Sequence, residues 1–275
     1  MHFGPRHWDG NNELLLDKLN TYSADVVINT GDNTTDSLES EFKQAGKFLG
    51  SLKCRHVVSI PGNHDKRSMR SQDFFRKYID QSKIVRPSNP DNCQKKGIHL
   101  DEYTTGIEEN LTDINCVREI KVDGQCLLIV SLDTSESLQD NGTVDEEMLR
   151  SVSHEIEQKS WDNIILLNHH SIVDTDSDPL FNSGQVIEFV RKHKIEHVFC
   201  GHTHKLALTR STDLLHKHTF THYKNGSLTS QNTPNDTNMF LFYENFASPE
   251  MKIYLIRIFR NGDSLSFEEE IVSIA

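Results

Sequence analysis

A chain of 275 residues, 35% hydrophobic and 25% charged, has the composition of an ordinary globular protein rather than a disordered one. Its formal net charge of -12 speaks against tight, sequence-independent binding to nucleic acid, which requires clustered lysine and arginine. Small phosphorylated substrates stay open, because bound divalent cations make a pocket locally positive inside an acidic protein. No run approaches the roughly 20 apolar residues needed to cross a bilayer, and residues 1–12 lack the apolar stretch of a secretory signal, so a cytoplasmic protein without membrane contact is expected. The length permits one or two domains and is read as a single domain over residues 1–275. Cys54, Cys93, Cys116, Cys126 and Cys200 are odd in number and lack CxxC spacing, which points to reduced thiols without a catalytic role.

In chain order, residues 25–29 form a short apolar run that stops at Thr30-Gly31-Asp32, the pattern of a buried strand running into a loop. Leu38, Phe42, Ala45, Phe48 and Leu49 recur at helical spacing across residues 37–52. A second strand-like run, residues 56–60, ends in Pro61-Gly62-Asn63-His64-Asp65, and Phe74, Phe75, Tyr78 and Ile79 predict another helix. Residues 87–115 are polar and loop-rich. Strands over 116–122 and 126–133 flank Asp123-Gly124, a hairpin turn signal. A helix over 144–158 precedes a strand over 163–167 that leads into Asn168-His169-His170. A helix over 184–193 precedes a strand over 198–200 that leads into Gly201-His202-Thr203-His204. The remainder is strand-like, with residues 251–259 and 264–272 flanking a turn at Asn261-Gly262. Strands alternating with helices predict an α/β sheet covered by helices, and the late hairpins predict a second sheet packed on it.

Four strand-like runs thus end in groups able to bind metal: Asp32, then Asn63-His64-Asp65, then His169-His170, then His202 and His204. Loops leaving the C-terminal ends of such strands gather on one edge, so residues remote in sequence can meet in one pocket. Imidazole, carboxylate and amide oxygen suit a mixed N/O site for zinc, iron or manganese, without the thiolates of a structural zinc. Alone, Asp32 reads equally as a loop carboxylate capping N–H groups and Asn63 as a turn residue. Their order at successive strand ends is what argues for a shared site.

These motifs resemble those of the calcineurin-like metallophosphoesterase family, whose pattern runs D-x-H, G-D, G-N-H-D/E, H and G-H-x-H. The matching residues are His2, Gly31-Asp32, Gly62-Asn63-His64-Asp65, His169 and Gly201-His202-Thr203-His204, so the resemblance covers residues 1–204. It implies a four-layer αββα sandwich, in which two packed mixed β-sheets are flanked by helices, and hydrolysis of phosphate esters by water activated at two divalent metal ions. It further implies that Asp32 bridges both ions, that His2 and His204 hold the first, and that Asn63, His169 and His202 hold the second. A bridging carboxylate is physically sensible, since it offsets repulsion between dications about 3.5–4 Å apart. His64 would protonate or hydrogen-bond the leaving-group oxygen, Asp65 would orient His64, and His170 would line the pocket.

Two departures from the family pattern carry expectations. The family's first carboxylate lies two residues before the histidine matched by His2, a position that precedes Met1, and the first central strand would lie in the same missing stretch. A true start upstream of Met1 is therefore expected, or else weaker binding of the first ion, with Asp9 as a possible substitute only if residues 4–8 fold back. The second departure is Asn33-Thr34-Thr35 before Asp36, one residue longer than the usual spacing to a further acid.

Arg6, Arg67 and Arg70 follow motif residues closely enough to meet a substrate phosphate, although solvated surface arginines fit equally well. Arg67 is taken as a substrate-binding candidate. Trp8, Phe220 and Tyr223 are candidates for stacking on a base or for packing, and His216, His218 and His222 read as an exposed strand face. The expected partner is a small phosphate monoester or diester of the nucleotide or cyclic-nucleotide class, since the compact length and the His169-His170 pair resemble the cyclic-nucleotide phosphodiesterase branch. The alternatives are a DNA nuclease on the same core, disfavoured by the acidic balance, and a catalytically impaired interaction protein of the same fold.

Overall fold

The computed structural model describes residues 1–8, 10–68, 70–93, 113–173, 177–231 and 237–272. In chain order the elements are α1 (Asn12–Asn20), β1 (Val26–Asn29), α2 (Glu39–Gly50), β2 (His56–Ser59), α3 (Ser71–Tyr78), β3 (Cys116–Val122), β4 (Gln125–Leu132) and α4 (Glu146–Glu157). They continue with β5 (Asn163–Asn168), α5 (Ser183–Lys192), β6 (His197–Cys200), β7 (Ala207–Asp213), β8 (His218–Lys224), β9 (Asn238–Glu244), β10 (Lys252–Asn261) and β11 (Ser264–Val272).

The largest sheet has six strands in the order β3-β4-β5-β6-β8-β7. Its inner strands β4, β5, β6 and β8 run parallel, with β3 and β7 antiparallel at the edges. The crossover helices α4 and α5 account for the parallel pairing, because parallel neighbours cannot be joined by a tight hairpin. Both helices lay apolar stripes on one face of the sheet. Met148, Val152 and Ile156 of α4, with Val186, Phe189 and Val190 of α5, share a core with Leu128, Val130, Leu132 and Leu166. The alternate residues Ile129, Ile165, Leu167 and Phe199 point the other way, into a core with Val58, Ile60, Tyr223 and Ile253. Burial on both faces explains why β5 reads as one continuous apolar run rather than an alternating one. Each fully buried side chain of this kind contributes about 1.5–3 kcal/mol of transfer free energy.

On the far side of the second core lie β1 paired in parallel with β2, and the antiparallel sheet β11-β10-β9. Outside them α1 and α2 bury Leu15, Ala45, Phe48 and Leu49 against Ile258, together with Met1, Phe3 and Trp8. The four-layer α/β sandwich is therefore present, with one correction. Its second β layer is not a single mixed sheet but two separate ladders, a parallel pair and an antiparallel trio.

Three further readings are corrected. Helix α1 went unpredicted, because Leu14, Leu15 and Leu16 lie in a row and only Leu15 is fully buried, leaving little helical periodicity to read. Asn261 pairs with Ser264, so the β10–β11 turn is Gly262-Asp263, one residue later than the sequence signal. His222 is fully buried and does not lie on an exposed face, because β8 is an interior strand with Tyr223 and His222 covered from opposite sides. Of the predicted loop 87–115, residues Pro90–Asn92 form a short 3-10 turn, and residues 94–112 lie outside the described ones. Among the described residues, no helix is long and apolar enough to cross a membrane.

Candidate metal centre

Parallel pairing brings β1 and β2 to the same level, Asn29 opposite Ser59, so the segments that follow them leave side by side. After β2 the chain turns into a 3-10 helix, Asn63–Lys66. A Cβ added to Gly62 would lie 2.2 Å from Asp32 Oδ1, so only glycine lets these two loops approach so closely. Across the second core, the segment after β5 is tied to the one after β6 by Gly201 N–H donating to the His169 carbonyl at 3.0 Å.

Asp65 fastens the first two loops to each other. One carboxylate oxygen accepts from Gly62 N–H at 3.0 Å, Asn33 N–H at 2.9 Å and Asn33 Nδ2 at 2.9 Å. The other accepts from Thr34 N–H at 2.9 Å and Thr34 Oγ1 at 2.8 Å. This corrects the reading of Asp65 as the group that orients His64, since both its oxygens are engaged by donors of the neighbouring loop. The Thr35 carbonyl orients His64 instead, accepting from Nδ1 at 2.7 Å and leaving Nε2 facing Arg6 Nη1 at 3.0 Å and Arg67 Nη2 at 3.4 Å.

The remaining motif residues converge on either side of Asp32. On one side, Asp32 Oδ2 lies 3.5 Å from His2 Nε2, which is 2.6 Å from His204 Nε2. One ligand atom from each of His2, Asp32 and His204 falls within 4.8 Å of the others. On the other side, Asp32 Oδ1 lies 3.4 Å from His169 Nε2, and Asn63 Oδ1 lies 3.0 Å from His169 Nε2 and 3.3 Å from His202 Nδ1. Six residues predicted from sequence, His2, Asp32, Asn63, His169, His202 and His204, are thus brought together, with the two oxygens of Asp32 turned to different groups.

The donor set fits a cation. His169 Nδ1 faces the Thr30 carbonyl at 2.7 Å and must donate to it, so in the neutral ring Nε2 carries a lone pair. Asn63 Nδ2 donates to Asp140 Oδ1 at 2.8 Å, which turns Asn63 Oδ1 inward. The lone pair of His169 Nε2 then faces two acceptor oxygens, Asn63 Oδ1 at 3.0 Å and Asp32 Oδ1 at 3.4 Å, without a hydrogen between them. Such an arrangement is repulsive unless positive charge sits among the lone pairs.

Protonation states agree with this. Burial pushes the His2 imidazole well below its ordinary value and brings His169 down to about 4, so both rings are neutral near pH 7. Burial alone raises the Asp32 carboxyl, but in acid, where the facing rings of His169 and His2 become charged, their attraction more than reverses this and holds it well below the carboxylate range. Backbone angles are unusual at the same residues: φ is 58° at His2, 52° at Asp32, 74° at His202 and 58° at His204, the left-handed region that side-chain-bearing residues seldom occupy.

The other candidates separate cleanly. Arg67 reaches Asp140 Oδ1 at 3.0 Å and stands at the site beside Arg6, whereas Arg70 pairs with Asp73 and covers Phe74 on the surface of α3. Trp8, Phe220 and Tyr223 are buried packing residues. His170 is buried behind the site, with Nε2 donating to the Asp140 carbonyl at 2.9 Å and Nδ1 2.8 Å from Thr134 Oγ1. Asp9 lies outside the described residues. Sequence reading missed Asp140, and the carbonyls of Thr30 and Thr35. Only the position of Asp140 shortly after a parallel strand, β4, could have signalled it.

A model of the calcineurin-like phosphoesterase family matches residues 1–206. Metallophosphoesterase domain-containing protein 1 of Homo sapiens is 34% identical over 77 residues, 26% of this chain and 23% of that protein. A probable cyclic nucleotide phosphodiesterase of Coxiella burnetii is 33% identical over 78 residues, 26% of this chain and 31% of that protein. The matched stretch therefore spans less than a third of either relative. The purple acid phosphatase PPD1 from yellow lupin is similar in fold, with a TM-score of 0.51 at 10% identity, over 94% of this chain and 46% of its own. With three quarters of its length matched by the family model, the chain belongs to the calcineurin-like phosphoesterase family.

Proposed function

We propose that the chain is a metal-dependent hydrolase of small phosphate esters, monoesters or diesters, with nucleotides or cyclic nucleotides as the substrate class. The observation that carries this reading is the acceptor nitrogen of His169 facing acceptor oxygens of both Asn63 and Asp32, which a cation among them would reconcile. In this reading Asp32 would serve two divalent ions, one held together with His2 and His204 and the other together with Asn63, His169 and His202. The mixed oxygen and nitrogen donors suit manganese, iron or zinc. When bound, such an ion pair lowers the pKa of water and neutralises charge that builds on phosphorus.

The chain's own residues supply the rest. Neutral imidazoles and an amide complete the donor set without adding negative charge that would repel an anionic ester. His64 serves the leaving group. The Thr35 carbonyl accepts its Nδ1–H whether the ring is neutral or charged, so a proton is taken up and released at Nε2 without reorienting the ring. Arg6 and Arg67 flank that nitrogen with guanidinium groups whose fork matches phosphate oxygens. Asp65 stands outside the chemistry, holding the Asn33-Thr34 loop and Gly62 together so that Asp32 stays in place.

The cyclic nucleotide phosphodiesterase relative supports the nucleotide class. The test is hydrolysis of an aryl phosphate monoester and diester with added Mn²⁺, beside Asp32→Ala and His64→Gln variants. Turnover that both variants abolish or cripple is the expected result. Equal turnover in the unaltered chain and both variants, or none in any of them, would sink the reading.

A further inference from the structure

We propose that Asp140, on the loop after β4, is a positioning residue that decides which end of the Asn63 carboxamide faces the metal centre. The inference rests on the reading of Asn63 as a metal ligand. A carboxamide is nearly symmetric in shape, and its two orientations have opposite chemistry: one presents an acceptor oxygen, the other an NH₂ donor. Turned over, the NH₂ of Asn63 would reach the lone pair of His169 Nε2, which lies 3.0 Å from the atom now occupied by Oδ1, beside His202 Nδ1 at 3.3 Å. That orientation satisfies His169 while replacing a cation ligand with a donor.

What opposes it is Asp140. Its Oδ1 is 2.8 Å from Asn63 Nδ2, a charge-assisted bond that becomes a clash of two acceptor oxygens if the amide flips. The same carboxylate oxygen accepts from Arg67 Nη2 at 3.0 Å, so one anion sets both the ligand amide and the guanidinium beside His64.

A positioning role demands that Asp140 itself be held, and its loop is pinned at several points. Leu138 N–H donates to the Lys66 carbonyl at 3.0 Å, and Thr143 N–H to the Thr134 carbonyl at 2.9 Å. The backbone of Asp140 is fixed by His170, whose Nε2 donates to its carbonyl at 2.9 Å. Behind it, a Cβ at Gly142 would come within 2.6 Å of His170 Nδ1, so the loop lies directly on that ring. His170 therefore spends both nitrogens on the protein, Nε2 on this loop and Nδ1 on Thr134, which explains why a buried histidine next to His169 takes no place among the metal-facing donors.

The experiment is calorimetric titration of the full chain with Mn²⁺, with turnover of an aryl phosphate ester as a second readout. Asp140→Ala is expected to weaken Mn²⁺ binding about 10- to 100-fold, as loss of a ligand's outer partner commonly does. Asp140→Asn, which can keep an oxygen toward Asn63 Nδ2, should recover most of that loss, and Arg67→Ala should leave Mn²⁺ affinity unchanged while raising KM. In an Asn63→Asp background, where both terminal atoms are oxygens and no flip matters, Asp140→Ala should no longer weaken binding. That arm separates positioning from a general loosening of the loop, and it stands even if the single Asp140→Ala variant folds poorly. Mn²⁺ binding by Asp140→Ala equal to that of the unaltered chain, or an equal loss in both backgrounds, overturns the proposal alone. Failure of the unaltered chain to bind Mn²⁺ overturns it together with the reading of the metal centre.

Discussion

The two sides of Asp32 are built differently. On the side of Asn63, His169 and His202, donors leave the ends of strands whose flanks are buried in cores, and the outward atoms of His169 and Asn63 are fixed by the Thr30 carbonyl and Asp140. On the side of His2 and His204, His2 Nδ1 is buried without a hydrogen-bond partner among the described residues. The segment carrying His2 is held by backbone contacts to the Asp32–Thr35 loop rather than by a strand of a sheet. A ligand whose far side is fixed does not have to be ordered when the cation arrives, whereas an unbraced one does. The comparison teaches that on one side the outward atoms of the side chains are braced, whereas His2 on the other is held through its backbone and not at its ring.

The largest effect should come from the residue common to both halves. Asp32→Ala should abolish binding at each side, with a loss of Mn²⁺ affinity and turnover beyond the roughly 100-fold seen for outer partners. Retained affinity at either side would show that the two halves do not share a ligand. Next, His64→Gln should lower kcat by about 10²- to 10⁴-fold, the usual contribution of a general acid, with Mn²⁺ stoichiometry unchanged. A change in stoichiometry would instead place His64 among the ligands. His169→Ala and His204→Ala then sharpen the asymmetry itself. The first should remove the tighter Mn²⁺ step and the second the weaker one, and the reverse order in a calorimetric titration would break the comparison. The smallest effect lies away from the site. Burial depresses His193 and His197 to about 4, so the folded chain keeps them neutral while the unfolded chain binds protons below its ordinary value of about 6.5. Their contribution to stability is fully present above about pH 6.5 and is lost as pH falls toward about 4. Urea unfolding of Asp32→Ala across that range reads this slope free of metal release, and a flat profile would remove it.

Much of this was legible in the amino-acid order, for identifiable reasons. Strands β1, β2, β5 and β6 are short apolar runs, and each is followed within a few residues by donors, so both the layer and its functional edge could be read together. What escaped was information that adjacency does not carry. Asp65 follows His64 yet turns to the N–H groups of Gly62, Asn33 and Thr34, because a 3-10 turn sends successive side chains in different directions. The carbonyls of Thr30 and Thr35 act through backbone atoms, which leave no trace in residue identity. Asp140 lies 77 positions from Asn63 in a loop without periodicity, and only the packing of that loop on His170 brings the two together. His222 was misread because alternation marks the two faces of a strand without saying that both are covered.

The left-handed backbone at Asp32, His202 and His204 sets the site against its own scaffold, by about 1–2 kcal/mol for each such residue. Selection for thermostability alone would accordingly drift toward glycine or asparagine at positions 202 and 204, yielding sturdier chains stripped of these imidazoles. A library screened for melting temperature and for Mn²⁺ uptake should therefore diverge at these positions first, before any change reaches the buried strands.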